Sequence, residues 1–244
     1  MGVRYTRKLI KLWTGMPGSG KTSELGEIVV SLIKRNVRYF KKTGVRRLIY
    51  VNLVLNHDLA SAYGDYLRYY DDLVDLSRED LSNNKQKVRH ADVVCQEISQ
   101  YIDSQEYEKC PRYFKAWLRK HRHFGVDIYA DTQDFLTVDN SFRRLVNSVY
   151  YCQKLIGSRD ISATKPQIKY IWGLCMLREI DPKSFDEEKE SYTFKTFSFQ
   201  FRLITKSRCM VFDTTQDVVS PDYPPLKHIE RTCPVCNKVH IQHA

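Results

Sequence analysis

The sequence lacks an uninterrupted apolar run of about 18 residues, the shortest length typical of a helix that spans a bilayer. No secretory signal segment is recognisable, because charged residues interrupt the first part of the chain throughout. A disulfide framework is not indicated either, since the 7 cysteines are scattered and odd in number. These absences predict a protein of a reducing compartment, cytoplasmic and without a transmembrane segment of its own. Peripheral association with a membrane stays open.

Acidic residues are in short supply. The chain has 29 Asp and Glu against 39 Lys and Arg, and its net charge of +10 favours a polyanionic partner, either nucleic acid or an anionic membrane surface. The imbalance is greatest in residues 34–47, which contain basic and aromatic side chains but no acid. This segment is either a solvated loop or a surface that follows nucleic acid phosphates, with Tyr39 or Phe40 available for base stacking.

Residues 15–22 read Gly-Met-Pro-Gly-Ser-Gly-Lys-Thr and match the phosphate-loop pattern G-x-x-x-x-G-K-[ST] at every position. An apolar strand precedes them and a helix, expected from about Lys21 to Lys34, follows, which disfavours a glycine-rich turn without a ligand. Backbone N–H groups of such a loop converge on phosphate oxygens, and the helix presents its positive end to the same anion. Lys21 would bind the β- and γ-phosphates of ATP, and the Thr22 hydroxyl would bind Mg²⁺. The expected nucleotide contacts are Gly15, Met16, Pro17, Gly18, Ser19, Gly20, Lys21, Thr22 and Ser23.

Residues 91–97 are predicted to form a strand that ends in Gln96 and Glu97. In phosphate-loop ATPases of the additional-strand class this strand ends in Asp-Glu, where the Asp faces Mg²⁺ and the Glu polarises the attacking water. Glu97 takes the position of the base, whereas Gln96 can offer an amide oxygen but no charge. Either Mg²⁺ binding is weaker in this chain, or another acid supplies the charge that faces Mg²⁺. Asp92 does not fit that role, because it lies at the far end of the strand.

Residues 124–131 are predicted to form the next strand, with Gln133 just beyond its carboxyl end. Carboxyl ends of parallel strands face the ligand crevice, so Gln133 either senses the γ-phosphate and positions water or caps a turn. A helix is then expected from Phe142 to about Tyr150, with Arg143 and Arg144 near its start. These two arginines are candidate arginine fingers, acting in cis or in a neighbouring subunit, or else a surface or salt-bridged pair.

Several of these segments together resemble the zonular occludens toxin family, the assembly ATPases of filamentous phages and their relatives. The resemblance rests on the phosphate loop, the strand before Glu97, and a block that runs from Trp117 through His-Arg-His and Gly-Val-Asp-Ile to Thr132-Gln133 and the Arg143-bearing segment. Residues 210–214 resemble the short strand ending in Asp-Thr that closes the family's ATPase domain.

The resemblance implies an α/β fold of the P-loop NTPase type, a three-layer sandwich with a mostly parallel central sheet, over residues 1–217. It further implies ATP hydrolysis with Mg²⁺, coupled to packaging or export of single-stranded DNA by a homo-oligomeric ring related to the FtsK/HerA motors, with capsid or membrane assembly partners. The implied catalytic residues are Lys21, Glu97 and Gln133, with an arginine from Arg122, Arg143 or Arg144. The chain departs from the family in Gln96 and in having no transmembrane helix or outer domain, which many filamentous-phage members carry.

Residues 192–203 alternate apolar and polar side chains, which predicts strands at a sheet edge, half-buried or presenting an aromatic face to bases. Prolines after residue 217 mark a linker, so residues 218–244 are expected to form a separate tail. In that tail Cys233-Pro-Val-Cys236 resembles a zinc knuckle, and His240 and His243 could complete a Zn²⁺ site. A tail without metal is the alternative.

Two other functions remain open from the sequence. A small-molecule kinase would use the same phosphate loop but would also need a lid and an acceptor pocket. A nucleotide-gated adaptor that binds DNA and hydrolyses ATP slowly would be compatible with Gln96.

Overall fold

The computed structural model describes residues 9–80, 85–86, 88–106, 108, 110–156, 173–182, 196–204, 211, 231–232 and 239–240. The strands are β1 (Ile10–Thr14), β2 (Leu48–Val51), β3 (Leu67–Tyr69), β4 (Glu79–Asp80), β5 (Lys85–Gln86), β6 (Ala91–Cys95), β7 (Asp127–Thr132), β8 (Ser148–Ile156), β9 (Gly173–Ile180), β10 (Thr196–Ile204), β11 (Arg231–Thr232) and β12 (Val239–His240). The α-helices are α1 (Lys21–Thr43), α2 (His57–Ala62), α3 (Leu73–Leu76), α4 (Arg112–Phe124) and α5 (Asn140–Arg143), and Ile98–Gln100 form a 3-10 turn.

Eight strands form one sheet in the order β10-β9-β8-β1-β7-β6-β2-β3. The six strands from β8 to β3 run parallel, and β9 and β10 add an antiparallel edge. The strand that carries the phosphate loop, β1, therefore lies in the middle of the sheet between β8 and β7. The predicted α/β class with a mostly parallel sheet is confirmed.

Helices cover both faces of this sheet because its central strands are apolar on both sides. Helix α1 buries Leu25, Val29 and Leu32 on the face that also receives Trp13. Helix α4 buries Phe114, Trp117 and Leu118 on the opposite face, as the sequence predicts. The result is the expected three-layer sandwich. None of the helices in the described ranges is long and apolar enough to cross a membrane.

Helix α1 is longer than the sequence indicates, since it continues beyond Lys34 to Thr43. It ends at Gly44, which has a φ of 70° and donates its backbone N–H to the Phe40 carbonyl at 2.8 Å. The helix continues because its inner face keeps contacting the sheet, where Asn36 is fully buried. Most of the basic segment is therefore helical, and the expectation of a loop is wrong.

Arg47, at the end of that basic segment, is buried in a network of ion pairs at the amino ends of β6 and β7. Its Nη2 atom lies 2.9 Å from Asp92 Oδ1 and 3.0 Å from Asp127 Oδ2. Arg35 approaches Asp92 to 2.6 Å, and Arg46 forms a further ion pair. These three arginines neutralise acids of the protein itself, so they are a structural part of the basic segment.

The helix expected over residues 142–150 is also wrong, because α5 is a single turn and β8 begins at Ser148. The helix begins at Asn140, two residues before the predicted start, where the Asp139 carboxylate accepts the Ser141 backbone N–H at 2.8 Å. Residues 148–151 pair with β1, where Val149 is buried. Pairing of residues 148–151 with β1 is therefore more favourable than a longer helix. The partner strand is distant in the sequence, so the local residues do not reveal this pairing.

Strand β10 lies at the outer edge of the sheet, as predicted, and its register shifts between Thr196 and Ser198. Phe197, Phe199 and Phe201 are 61%, 60% and 62% exposed. These side chains form an exposed aromatic row on one face of β10, while the side chains that alternate with them are partly buried. The strand predicted at residues 210–214 lies outside the described residues except for Val211, whose carbonyl accepts the Asn56 N–H.

Candidate nucleotide-binding site

The phosphate loop leaves β1 between the carboxyl end of β7 and the middle of β8. The Gly15 N–H donates to the Gln133 carbonyl at 3.3 Å, and the Thr14 hydroxyl donates to the same oxygen. Gly15 has a φ of 141°, and a Cβ atom there would lie 2.3 Å from the Cys152 carbonyl oxygen. Only glycine fits this approach, so the first residue of the motif fixes the loop against β8.

Lys21 is the first residue of α1 and is only 6% exposed. Its Nζ atom donates to the Gly15 carbonyl at 2.6 Å and to the Met16 carbonyl at 3.2 Å. The ammonium is thus held over the loop by two neutral oxygens. Phosphate oxygens carry more negative charge than carbonyls, so an anion entering the loop can compete for this cation.

Two hydroxyl groups at the loop, those of Ser19 and Ser23, are buried without a hydrogen-bond partner among the described residues. Buried polar groups are nearly always hydrogen-bonded, and exceptions occur where a ligand or ion completes the site. The hydroxyls, the Lys21 ammonium and the first turn of α1 together form a donor set suited to a phosphate chain. The residues present therefore fit the nucleotide that the motif implies.

The Gln96–Glu97 pair follows β6 at the same edge of the sheet, held by side chains from both neighbouring strands. On the β2 side, Asn52 accepts the Gln96 N–H at 2.7 Å and donates to the Gln96 carbonyl at 3.0 Å. On the β7 side, Asp131 Oδ1 accepts the Glu97 N–H at 2.7 Å. Both polar strand ends are thus fixed relative to the phosphate loop.

Glu97 has a φ of 52° and a ψ of 63°, a left-handed conformation that is uncommon for residues with a Cβ. Such backbone strain is maintained only where surrounding contacts impose it, and it concentrates at functional sites. Here the hydrogen bond to Asp131 is such a contact. The conformation therefore marks Glu97 as a locally strained residue at the edge of the sheet that bears the phosphate loop.

Asp131 was not identified from the sequence, although it is the most buried acid of the crevice, with 1% exposure. Burial raises its pKa to about 7; the Glu97 N–H and the Lys21 ammonium act in the opposite direction, and the Glu97 carboxylate adds to the rise. Asn52 was missed as well. Both Asn52 and Asp131 are polar residues at the carboxyl ends of the strands next to β6, and this position is the signal that identifies them.

Gln133 lies at the carboxyl end of β7, where the sequence places it, and its side chain is exposed. Its backbone carbonyl is what binds Thr14 and Gly15. The side chain is therefore available to a ligand in the crevice, while the backbone position is set by the phosphate loop.

The three candidate arginine fingers come together, but away from the phosphate loop. Arg122, Arg143 and Arg144 line one cavity of about 620 Å³ with Asn147 and Asp181. Asn147 accepts the backbone N–H of Ile10, the first residue of β1, so this cavity extends to the amino end of the strand. The phosphate loop follows the other end, roughly 15 Å away for a strand of this length. The cavity that the three arginines share therefore extends away from the phosphate loop, toward the amino ends of the strands.

The proposed zinc ligands Cys233, Cys236 and His243 lie outside the described residues, and His240 is described only as part of β12. The backbone of β12 pairs with β11, so Thr232 and Val239 are neighbours on either side of the cysteine segment. In the part of the chain that the structure describes, no group of three or more His, Cys, Asp or Glu side chains could enclose a metal ion.

Comparison with known proteins gives a family and a fold. The sequence profile of the zonular occludens toxin (Zot) family matches residues 9–169. No curated protein sequence matches the chain. The N-terminal domain of zonular occludens toxin from Neisseria meningitidis has 20% identity and a TM-score of 0.48, with 84% of this chain and 98% of that one covered. The genome packaging NTPase B204 from Sulfolobus turreted icosahedral virus 2, in complex with ATP-gammaS, has 12% identity and a TM-score of 0.44, with 78% and 97% covered. The profile spans more than half of the sequence, and the chain therefore belongs to the zonular occludens toxin family.

Proposed function

We propose that this protein is an ATP-hydrolysing motor subunit that drives packaging or export of DNA during phage or virus assembly. The observation that carries the proposal is the strained Glu97, which is hydrogen-bonded to Asp131 at the edge of the sheet that bears the phosphate loop. Membership of the family supports the same conclusion. A protein that only bound nucleotide would have no need of a carboxylate base at this position.

The proposed roles follow from the chemistry of phosphoryl transfer to water. Lys21 binds the β- and γ-phosphates, and Glu97 accepts a proton from the water that attacks the γ-phosphorus as the bond to the ADP oxygen breaks. The exposed Gln133 amide orients that water. The Thr22 hydroxyl and the Gln96 amide oxygen are the residues that would hold Mg²⁺, which when bound neutralises charge on the phosphates. Mg²⁺ commonly uses one or two protein ligands beside phosphates and waters, so an all-protein cage is not required.

The test is steady-state ATP hydrolysis by the purified full chain, with and without single-stranded DNA. Lys21→Ala should abolish turnover, since the charge facing the phosphates is lost, and Glu97→Gln should bind nucleotide but turn it over at least roughly 100-fold more slowly. Lys120→Ala, an exposed lysine on α4, is the matched control and should behave like the wild type. An unchanged rate of ATP hydrolysis in Lys21→Ala would contradict the proposed motor function.

Gln96 favours one alternative, a nucleotide-gated DNA-binding adaptor with slow hydrolysis, because it removes the usual carboxylate beside Mg²⁺. The same assay separates the two functions. A motor should hydrolyse many ATP molecules per minute and accelerate with DNA, whereas an adaptor should change its DNA affinity between ATP and ADP at negligible turnover.

For the tail we propose that Cys233 and Cys236 bind Zn²⁺, with His240 and His243 completing the site within one chain or between two. Elemental analysis of protein kept reduced should then find close to one zinc per chain, or half that number for a shared site. Cys233→Ser with Cys236→Ser should remove the metal, and wild-type protein without zinc would contradict this assignment.

A further inference from the structure

The phosphate-loop crevice contains a buried carboxylate on the strand next to Gln96. β7 lies directly between β1 and β6, and its residue Asp131 is level with Trp13 of β1. Side chains alternate along a strand, so Asp131 is on the same face as Tyr129, the face covered by α1. Asp131 thus emerges beside the helix that begins with Lys21 and Thr22.

Contacts tie Asp131 to both halves of the nucleotide site. Its Oδ1 atom accepts the Glu97 N–H at 2.7 Å, and its carboxylate interacts electrostatically with the Lys21 ammonium and the Glu97 carboxylate. Of the two residues after Asp131, Thr132 is level with Thr14 at the end of β1, and Gln133 binds the phosphate loop through its carbonyl, which accepts the Gly15 N–H. A buried carboxylate in this position has a desolvation cost that a cation can offset.

We propose that Asp131 supplies the negative charge that faces Mg²⁺ in the bound Mg²⁺–nucleotide, a task that the neutral Gln96 cannot perform. The proposal rests on the nucleotide-binding function proposed above and adds a residue to it. In this chain the carboxylate that faces the ion lies at the end of β7, the neighbour of β6, instead of at the end of β6 itself. Gln96 then contributes an amide oxygen, and Asp131 both faces the ion and fixes the Glu97 backbone.

These two roles of Asp131 can be separated by one substitution. In Asp131→Asn the amide oxygen can still accept the Glu97 N–H, so the position of Glu97 is retained while the charge is lost. The readout is the affinity of a non-hydrolysable ATP analogue, measured by calorimetry with excess Mg²⁺ and again with excess EDTA. The ratio of the two affinities, the Mg²⁺ gain, reports the contribution of the ion without any turnover.

We expect a clear Mg²⁺ gain in the wild type and a loss of that gain by roughly 10- to 100-fold in Asp131→Asn, the range typical of residues that support a bound metal. Affinity in EDTA should not fall, because the substitution removes a negative charge from beside the phosphates. Gln96→Asp combined with Asp131→Asn should restore the gain, because it returns a carboxylate to the neighbouring strand. Glu97→Gln is the matched control: it neutralises the adjacent acid and should keep the gain.

A full Mg²⁺ gain in folded Asp131→Asn, or a loss confined to Glu97→Gln, would overturn the assignment of Asp131 while leaving nucleotide binding intact. Absence of nucleotide binding by the wild type would instead refute the proposed function itself, and the assignment with it. If Asp131→Asn does not fold, Gln96→Asp alone decides. If Asp131 already faces Mg²⁺, the second carboxylate in Gln96→Asp should raise the Mg²⁺ gain by less than about threefold. If Asp131 does not face Mg²⁺, the same substitution should raise the Mg²⁺ gain by about tenfold or more.

Discussion

The Asn52 side chain forms two hydrogen bonds with the backbone of Gln96, accepting its N–H at 2.7 Å and donating to its carbonyl at 3.0 Å. Asn52 directly follows β2, and Gln96 directly follows β6, so the contact joins the ends of two neighbouring strands. Because Gln96 precedes Glu97, this contact also limits where the Glu97 carboxylate can lie.

We therefore predict that Asn52→Ala lowers kcat by roughly tenfold while the nucleotide affinity stays close to that of the wild type. The substitution removes both hydrogen bonds and costs about 1–3 kcal/mol of stability, since backbone groups of Gln96 lose their partners. Asn52→Asp is the control that keeps an acceptor for the N–H, and it should retain more activity than Asn52→Ala. Equal kcat in Asn52→Ala and wild type would exclude a positioning role.

The sequence predicts this part of the site only in outline. The phosphate loop and the strand before Glu97 could be recognised because their chemistry is contained in contiguous residues. Asn52 and Asp131 could not, since their importance arises from strand order: β2 and β7 become neighbours of β6 only in the folded sheet. The same limit applies in part to β8, where Val149, Tyr150 and Tyr151 favour a strand but the place beside β1 arises only in the folded sheet.

The buried ion pairs around Arg47 give a prediction about pH and stability. Burial raises the pKa of Asp127 from its ordinary value of 3.8 to about 6, with Arg47 acting in the opposite direction. A raised pKa in the folded state means that the folded protein holds this proton more tightly than the unfolded chain. The stability contributed by Asp127 is therefore complete below about pH 3.8 and is lost as the pH rises to about 6.

The measurement is the difference in free energy of unfolding between wild type and Asp127→Asn, obtained by urea denaturation across pH 4 to 7. Between pH 4 and 6, the free energy of unfolding of the wild type should fall by up to about 3 kcal/mol relative to that of Asp127→Asn. Above pH 6 the difference between the two proteins should stay constant. Asp134→Asn, the same substitution at an acid outside the Arg47 network, provides the control. A shift in the opposite direction would mean that Asp127 stays ionised because of Arg47.

The exposed lysines of α1 give a test of DNA binding that avoids the buried arginines. Lys34, Lys41 and Lys42 are all exposed, whereas Arg35, Arg46 and Arg47 pair with acids. Each lysine that neutralises a phosphate of single-stranded DNA contributes about −0.7 to the slope of log affinity against log salt. Replacing the three lysines by alanine should therefore flatten the slope by roughly two and leave ATP hydrolysis without DNA unchanged.

The matched control for this experiment replaces Arg112, Arg119 and Lys120 of α4, three other exposed basic residues, by alanine. It removes the same net charge from the opposite face of the sheet. A slope that changes equally in both variants would indicate a general charge effect. An unchanged slope in the α1 variant would mean that DNA, if bound, contacts another surface.

The cavity lined by Arg122, Arg143 and Arg144 predicts that the arginine finger acts between subunits. These residues line a cavity that extends to the amino end of β1, whereas the phosphate loop follows the carboxyl end of that strand, so we expect them to act on the nucleotide of a neighbour in a ring. Replacing all three by alanine should lower kcat by roughly 10³-fold or more, since an arginine finger stabilises charge in the transition state. Nucleotide affinity should change little, because the phosphate loop is intact.

Mixing experiments distinguish a finger in trans from a structural role. The triple alanine variant and Lys21→Ala should each be inactive alone. In an equal mixture, about half of the sites have an intact Lys21, and about half of those face intact arginines of a neighbour, so about a quarter of the wild-type rate should return. Energy transfer between donor-labelled and acceptor-labelled batches of the two variants serves as the control for subunit exchange and should appear when they are mixed. If the mixture stays inactive although this signal shows exchange, the arginines act within their own chain, through its folding or stability rather than at a neighbour's nucleotide.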